Sequence, residues 1–317
     1  MQQNNFKIGL LFISTAVFFW GILPIALKLS STFIDPVSLT WFRFLVALLV
    51  SLIIQYFSGR LKQFASLDRR AWIKLLFASV FLVLNYVSFV YALKYLAPGT
   101  AQLNFQTSPF FLAFGGMLFF KEKLSAIQMT CFATLALGML MFFHPFLEFN
   151  QSENSTFWTG MMIIQFSVCS WTSYALLQKS LLEQLDPSNV LLFIYGMGVL
   201  LMTGFVDLNQ FTSMSLNHWG IAMFCAINTL IAYGCFGASM KYWPTAQVSA
   251  MMALTPVLSF SCTAYMVSLG LWPDMFFSDA LDFLSLSGIA VIIFSVIVLQ
   301  LLPTIISRRE RLIATRA

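Results

Sequence analysis

The sequence predicts an all-α membrane protein of ten transmembrane helices arranged as two inverted five-helix repeats, and three observations carry that reading. The 317-residue chain is 59% hydrophobic and 9% charged, with 35 Phe and a mean hydropathy of +0.84, whereas soluble proteins carry about 25% charged residues. Predominantly apolar stretches of roughly 20 residues, the length a bilayer core about 30 Å thick asks of a helix, occur ten times along it. The stretch "KYLAPGTAQLNFQTSP" from Lys94 to Pro109 returns 147 residues later as "KYWPTAQVSAMMALTP" from Lys241 to Pro256. A helical reading is preferred because lipid-exposed backbone must satisfy its own N–H and C=O groups, and the alternation of a barrel strand is absent.

The first span, about 8–27, follows Lys7 and carries Trp20; it is too long for a signal-peptide core, and no clean small-residue cleavage site follows it. Span 2, about 36–57, starts at Asp35-Pro36 and holds Arg43, the one charge placed inside a span. Span 3, about 72–93, offers Asn85, Ser88 and Tyr91, and span 4, about 98–120, offers Gln102, Gln106, Ser108 and Pro109. Span 5 covers about 125–144. Span 6, about 157–178, contains Gln165, Ser170, Trp171 and Tyr174, and span 7 covers about 187–206. Span 8, about 217–240, contains Asn228, Thr229 and Tyr233; span 9, about 244–268, contains Pro256; span 10 covers about 283–302. All five cysteines fall inside spans, without the spacing of a metal cage or a disulfide framework.

Charge sets the expected orientation. With the N-terminus cytoplasmic, fourteen of the seventeen basic residues lie in inward segments, from Lys7 through Arg60, Lys179 and Lys241 to Arg316. The outward segments hold Lys28 and Lys94 against seven acids, including Asp35, Asp207, Asp274, Asp279 and Asp282. This is the positive-inside pattern, and it places both termini in the cytoplasm. The net charge of +5 is then explained by an anionic inner leaflet and calls for no nucleic acid.

The repeat extends along both halves, expected at 1–148 and 149–317. At an offset of 147, Tyr86 falls on Tyr233, Ser108 on Thr255 and Pro109 on Pro256. At 151, Trp20 falls on Trp171, Lys28 on Lys179 and Asp35-Pro36 on Asp186-Pro187. An odd number of spans per copy makes the second copy cross in the opposite sense. Inverted repeats give secondary transporters two nearly equivalent conformations around a midplane site.

The Trp-Gly at 20 and 21, "LTWFRFLVALL" in span 2 and "TSPFFLAFGGMLFFKEKLSAIQM" across spans 4 and 5 resemble the EamA-type drug/metabolite transporters. The resemblance covers nearly the whole chain. It implies a central cavity lined mainly by spans 1, 3, 4, 6, 8 and 9, with spans 5 and 10 peripheral, and the export or exchange of small metabolites, often amino acids. The second copy departs from that pattern. Where the first has "FFKEKLS" with Glu122, the second has "LGLWPDMFFSDALDFLS", an acidic 268–282 stretch without a matching Glu.

Polar groups inside lipid are costly unless they pair or face water. The substrate-binding candidates are accordingly Gln102, Gln106, Asn85, Tyr91, Ser170, Trp171, Tyr174, Asn228, Tyr233 and Trp20, with interhelical hydrogen bonding and aromatic packing as the alternatives. Gln102, Gln106 and Pro109 share one helix face by their i, i+4, i+7 spacing. Pro109 and Pro256 are expected to bend their spans near the membrane centre, as hinges or as fixed kinks. Arg43 is always charged and must find a partner, an interface or water; a structural tie to helix ends or lipid phosphate is set against capture of a substrate carboxylate or phosphate.

All Asp and Glu lie in loops or at span ends, and so do His144 and His218. Proton relay through a buried carboxylate is therefore disfavoured, and facilitated diffusion or exchange is expected. No HExxH, GxSxG or P-loop pattern occurs, so an enzyme is not predicted, and neither a cofactor nor a metal. The reading is a bacterial cytoplasmic-membrane carrier for amino acids or related zwitterions. A carrier for a larger metabolite such as a nucleotide or S-adenosylmethionine stands second, and a non-transport polytopic protein third. Substrate identity, direction of flux and oligomeric state are open.

Overall fold

A computed structural model describes residues 2–92, 94–96, 101, 104–146, 155–273, 275 and 282–314. The chain there is helical, with no β-strand among the described residues. The α-helices of eight or more residues are α1 Gln2–Ser30, α2 Pro36–Phe57, α3 Arg69–Ala92, α4 Ser108–Phe120, α5 Ala126–Phe142, α6 Ser155–Leu181, α7 Pro187–Met202, α8 Leu216–Tyr242, α9 Thr245–Met252, α10 Thr255–Ser268 and α11 Phe283–Ala314. Span 9 is the pair α9 and α10, so the elements make ten spans. Eight are long and apolar enough to cross a bilayer, and the fourth and fifth contribute shorter apolar helices.

Local chemistry sets the helix starts. The Asp35 carboxylate accepts from the Val37 and Ser38 N–H groups at 2.8 and 3.0 Å, ahead of Pro36 in the first turn. That geometry satisfies donors that a helix leaves open. Asp68 caps α3 through the Ala71 N–H at 2.8 Å, and Ser215, 147 residues on, caps α8 through His218.

The packing is that of a pseudo-two-fold bundle. Helix α1 of the first half lies along α8 of the second, and α6 of the second lies along α3 of the first, which is the same contact under the repeat. Repeat-mates α2 and α7 meet directly, as do α5 and α11, and α4 packs on α9, the first part of the span that matches its own. The α5–α11 pair stands at the periphery. A Cβ on Gly288 would sit 2.5 Å from the Phe142 nitrogen and 2.7 Å from the Gly138 oxygen, so glycine permits the backbones to touch where no hydrophobic force separates helix from lipid. Thr134 and Ser295 exchange a hydroxyl hydrogen bond of 2.9 Å along the same seam.

The two matched prolines mark breaks rather than bends within one helix. Gln106 and Thr107 form a turn, and α4 begins at Ser108-Pro109; Ala253 and Leu254 form a turn, and α10 begins at Thr255-Pro256. Proline fits the first turn of a helix, where its missing N–H costs nothing. The single face expected for Gln106 and Pro109 is therefore interrupted between them, and Gln102 lies outside the described residues, as do Asp274 and Asp279 of the acidic loop.

Candidate substrate site between the two halves

Four of the sequence-derived candidates converge at the centre. Trp20 of α1 and its repeat-mate Trp171 of α6 meet edge to face at 6.4 Å between ring centroids. Trp20 also packs against Tyr233 and Phe236 of α8, each at 5.3 Å. Tyr174 stands 6.1 Å from Tyr233 and 6.5 Å from Trp171. The second repeat-related pair, Tyr86 of α3 and Tyr233, lies at 6.4 Å. A residue and its repeat-mate can touch only close to the pseudo-two-fold axis, so both pairs mark the axis. Trp171, Tyr174 and Phe236 are buried while Trp20 and Tyr86 are half-buried, which leaves aromatic faces open at the junction of the halves.

Arg43 enters this centre from α2. It is 2% exposed, its Nε donates to the Thr229 hydroxyl at 2.8 Å, and its guanidinium carbon lies 5.5 Å from the Tyr86 ring centroid. It thus ties α2 to the middle of α8. Thr229 donates in turn to the Cys225 carbonyl at 2.9 Å, and its own carbonyl accepts from the Tyr195 hydroxyl at 3.4 Å.

Other candidates have different surroundings. Asn85 is a helix clamp: its amide donates to Ser167 Oγ at 2.9 Å, and the Ser167 hydroxyl donates to the Asn85 carbonyl at 3.0 Å. Asn228 ties α8 to α1 through the Phe19 carbonyl at 2.7 Å, leaving its buried Oδ1 without a partner among the described residues. Ser170 is buried beside Trp171. Gln106 is 7% exposed in its turn, and the adjacent Thr107 hydroxyl lies 3.3 Å from Gln165 of α6. Tyr91 does not join the centre; it is 45% exposed near the end of α3, hydrogen-bonded to Tyr95 at 3.3 Å, with Lys94 5.0 Å above its ring.

One constellation escaped sequence reasoning. The Glu122 carboxylate, just beyond α4, receives the Lys179 ammonium at the end of α6 on one oxygen. On the other it receives the Thr245 hydroxyl and, at 2.9 Å, the Thr245 N–H at the start of α9. Gly116 is the space this needs, because a Cβ there would collide with the Thr245 hydroxyl and the Glu122 carboxylate. The contact ties the first half to the second at the end of the bundle that also carries Asp186 and Lys241. The available signal was Glu122 in "FFKEKLS" together with Lys179, already noted as the mate of Lys28; nothing in the pattern joined them.

A model of the EamA-like transporter family matches the sequence twice, over residues 7–144 and 158–301. The chain belongs to the EamA-like transporter family. The two EamA segments coincide with the two structural repeats, and the protein is by family a membrane transporter. Among similar proteins, the inner membrane transporter YhbE of Escherichia coli strain K12 is 30% identical over 92% of this chain and 91% of its own. A transporter of Haemophilus influenzae is 28% identical over 90% and 92%. A solved crystal structure superposes with a TM-score of 0.73 at 17% identity, covering 95% of this chain and 99% of that one. At that identity the likeness is one of fold.

Proposed function

We propose that this EamA protein is a secondary transporter of a bacterial inner membrane, moving amino acids or related zwitterions by alternating exposure of the aromatic centre between its halves. The observation that carries the reading is the meeting of Trp20 with Trp171 and of Tyr86 with Tyr233. A site on the pseudo-symmetry axis is equivalent from both sides, which is what a carrier with two conformations related by that pseudo-two-fold axis requires. The cross-half tie of Glu122 to Lys179 and Thr245 supports a state closed at that end. Closure at one end, with half-open indole and phenol faces at the centre, suits a small solute with an apolar body.

The coupling we propose is exchange or facilitated diffusion. Every described carboxylate lies outside the middle of the spans, so protonation of a mid-membrane acid does not drive the cycle. The indole pair also suits stacking on a base, which keeps a nucleotide or S-adenosylmethionine as the second reading. The test is a counterflow assay in proteoliposomes loaded with single solutes, accompanied by thermal-shift measurements on the purified protein, since a ligand of the folded state raises its apparent stability. Trans-stimulated uptake of an amino acid is the expected result. Accumulation driven by a pH gradient alone overturns the coupling, and response to nucleotides without response to amino acids overturns the substrate class.

A further inference from the structure

We propose that Arg43 is an oxyanion-reading residue of the central site and that the transported solute carries a carboxylate which completes the coordination of its guanidinium. This rests on the reading of the aromatic centre as the transport site. The guanidinium has five N–H donors and cannot shed its charge, yet its described hydrogen bonding consists of Nε to the Thr229 hydroxyl. None of the ion pairs among the described residues involves it; these join Asp186 to Arg60 and Lys241, Glu122 to Lys179, and Asp282 to His144. A cation 98% removed from solvent, about two turns into a membrane helix, is costly without a counter-charge.

Among the described residues, the groups facing Arg43 supply polarity but no negative charge. They are Tyr86 of α3 beneath its plane, Tyr195 of α7, and Cys225, Thr229 and Tyr233 of α8. Thr229 accepts from Arg43 while donating to the Cys225 carbonyl, so it orients Nε, and neither Nη group makes a hydrogen bond among the described residues. A planar fork held in this way is matched to the two oxygens of a carboxylate. The same Tyr86 ring that supports the guanidinium meets Tyr233, which meets Trp20. A solute whose carboxylate lies on Arg43 would therefore set its body against the indoles. The fold itself does not demand a cation here, because the repeat-equivalent position holds Ile194, fully buried.

The experiment uses the full chain, purified and reconstituted, with matched solutes at constant ionic strength: phenylalanine and phenylalaninamide, 3-phenylpropanoate and 3-phenylpropanamide, and phenyl phosphate. The readouts are thermal shift and counterflow. The carboxylates are expected to raise the melting temperature and exchange, and the amides to do neither. Arg43→Gln should abolish the shift, and Arg43→Lys, which keeps the charge and loses the fork, should weaken it at least tenfold. Should Arg43→Gln fail to fold, the Arg43→Lys comparison and the acid–amide pairs on the wild type still decide. A response to phenyl phosphate alone supports the oxyanion site and shifts the solute class from carboxylate to phosphate monoester. Equal response to acids and amides, or unchanged acid binding in Arg43→Gln, overturns the role of Arg43 while leaving the central site intact. No response from any solute, in a preparation that melts cooperatively, overturns the central site and this proposal with it.

Discussion

Gln63 grips Asp186 from the opposite half of the molecule: its amide oxygen accepts the Asp186 N–H at 2.9 Å and its amide nitrogen donates to the Asp186 carboxylate at 2.8 Å. The repeat returns the contact at the other end of the bundle, where Gln210, 147 residues after Gln63, accepts the N–H of Asp35 at 2.8 Å. Ser38 and Asn189 follow the same rule. Ser38 Oγ accepts from the Asp207 N–H at 3.0 Å, and Asn189 Nδ2 donates to the Arg60 carbonyl at 2.9 Å. Each half thus caps the other's second helix. The Asp186 end is the more heavily bonded of the two, because Arg60 and Lys241 are added to it.

That imbalance predicts unequal costs for a matched pair of substitutions. Gln63→Ala removes two bonds to Asp186 and one from Asn189 at 2.8 Å, leaving partners half-buried and unmet. A loss of about 1 to 3 kcal/mol is expected. Gln210→Ala removes one backbone contact and one exposed side-chain contact to Asp207 and should cost less. Thermal unfolding of the two variants in one detergent measures the order, and a larger loss for Gln210→Ala contradicts it.

Acid should act through the same residue. The Gln63 hydrogen bond, followed by the bond and charge of Lys241 and the charge of Arg60, holds the Asp186 carboxyl below its ordinary value of 3.8 against the opposing effect of burial. A carboxyl depressed on folding contributes stability that is fully present above its unfolded value and is lost as pH falls through its folded value. The melting temperature is therefore expected to fall more steeply below about pH 4 for the wild type than for Asp186→Asn, which gives up that contribution at every pH. Parallel curves for the two proteins exclude the linkage.

The architecture was more legible in the sequence than the site, for a physical reason. Span number, inversion and the Trp20–Trp171 match follow from hydropathy length and from residues that recur at a fixed offset, both of which are local properties of the chain. Which polar group meets which is set by helix rotation, and rotation is not written at the resolution of a repeat. Asn85 and Tyr91 look equally suited on paper. One clamps Ser167 and the other reaches the exposed end of α3. A helix restarting at Pro109 or Pro256 and a helix kinked there share one sequence signal. Glu122 was visible only as a motif letter, since its partners lie 57 and 123 residues away.

Glu122 should be energetically coupled to Lys179 across the halves. Both side chains are largely shielded, at 17% and 15% exposure, so the pair is worth more than a surface bridge. Glu122→Ala strips Lys179 and Thr245 of their shared acceptor. Lys179→Met leaves Glu122 its two Thr245 donors and should be the milder change. A double-mutant cycle on thermal stability is expected to give a coupling of about 1 kcal/mol or more, and additive losses would show that the contact carries no energy of its own.

Trp171 and Trp20 should separate packing from binding. Trp171 is 3% exposed and touches Trp20, Phe105, Tyr174 and Phe236, so Trp171→Ala opens a large cavity and is expected to cost about 3 to 5 kcal/mol. Trp20 is half-buried, and Trp20→Phe should keep most of the stability while weakening solute-induced shifts. Thermal melting with and without an exchanged solute reads both effects; equal stability losses in Trp171→Ala and Trp20→Phe would place the two indoles in the same role.

Inversion itself has a direct chemical consequence. Lys94 and Lys241 occupy matched positions, and both are exposed, yet an odd number of spans per repeat puts them on opposite faces of the membrane. Lys94→Cys and Lys241→Cys, each in a background without other reactive thiols, can be treated in intact cells with a membrane-impermeant maleimide. The positive-inside distribution predicts labelling of the thiol at 94 from outside, and of the thiol at 241 only after permeabilisation. Reversed labelling would turn the whole bundle over and leave the inversion standing. Labelling of both from one face would break the relation between the repeats on which the central site depends.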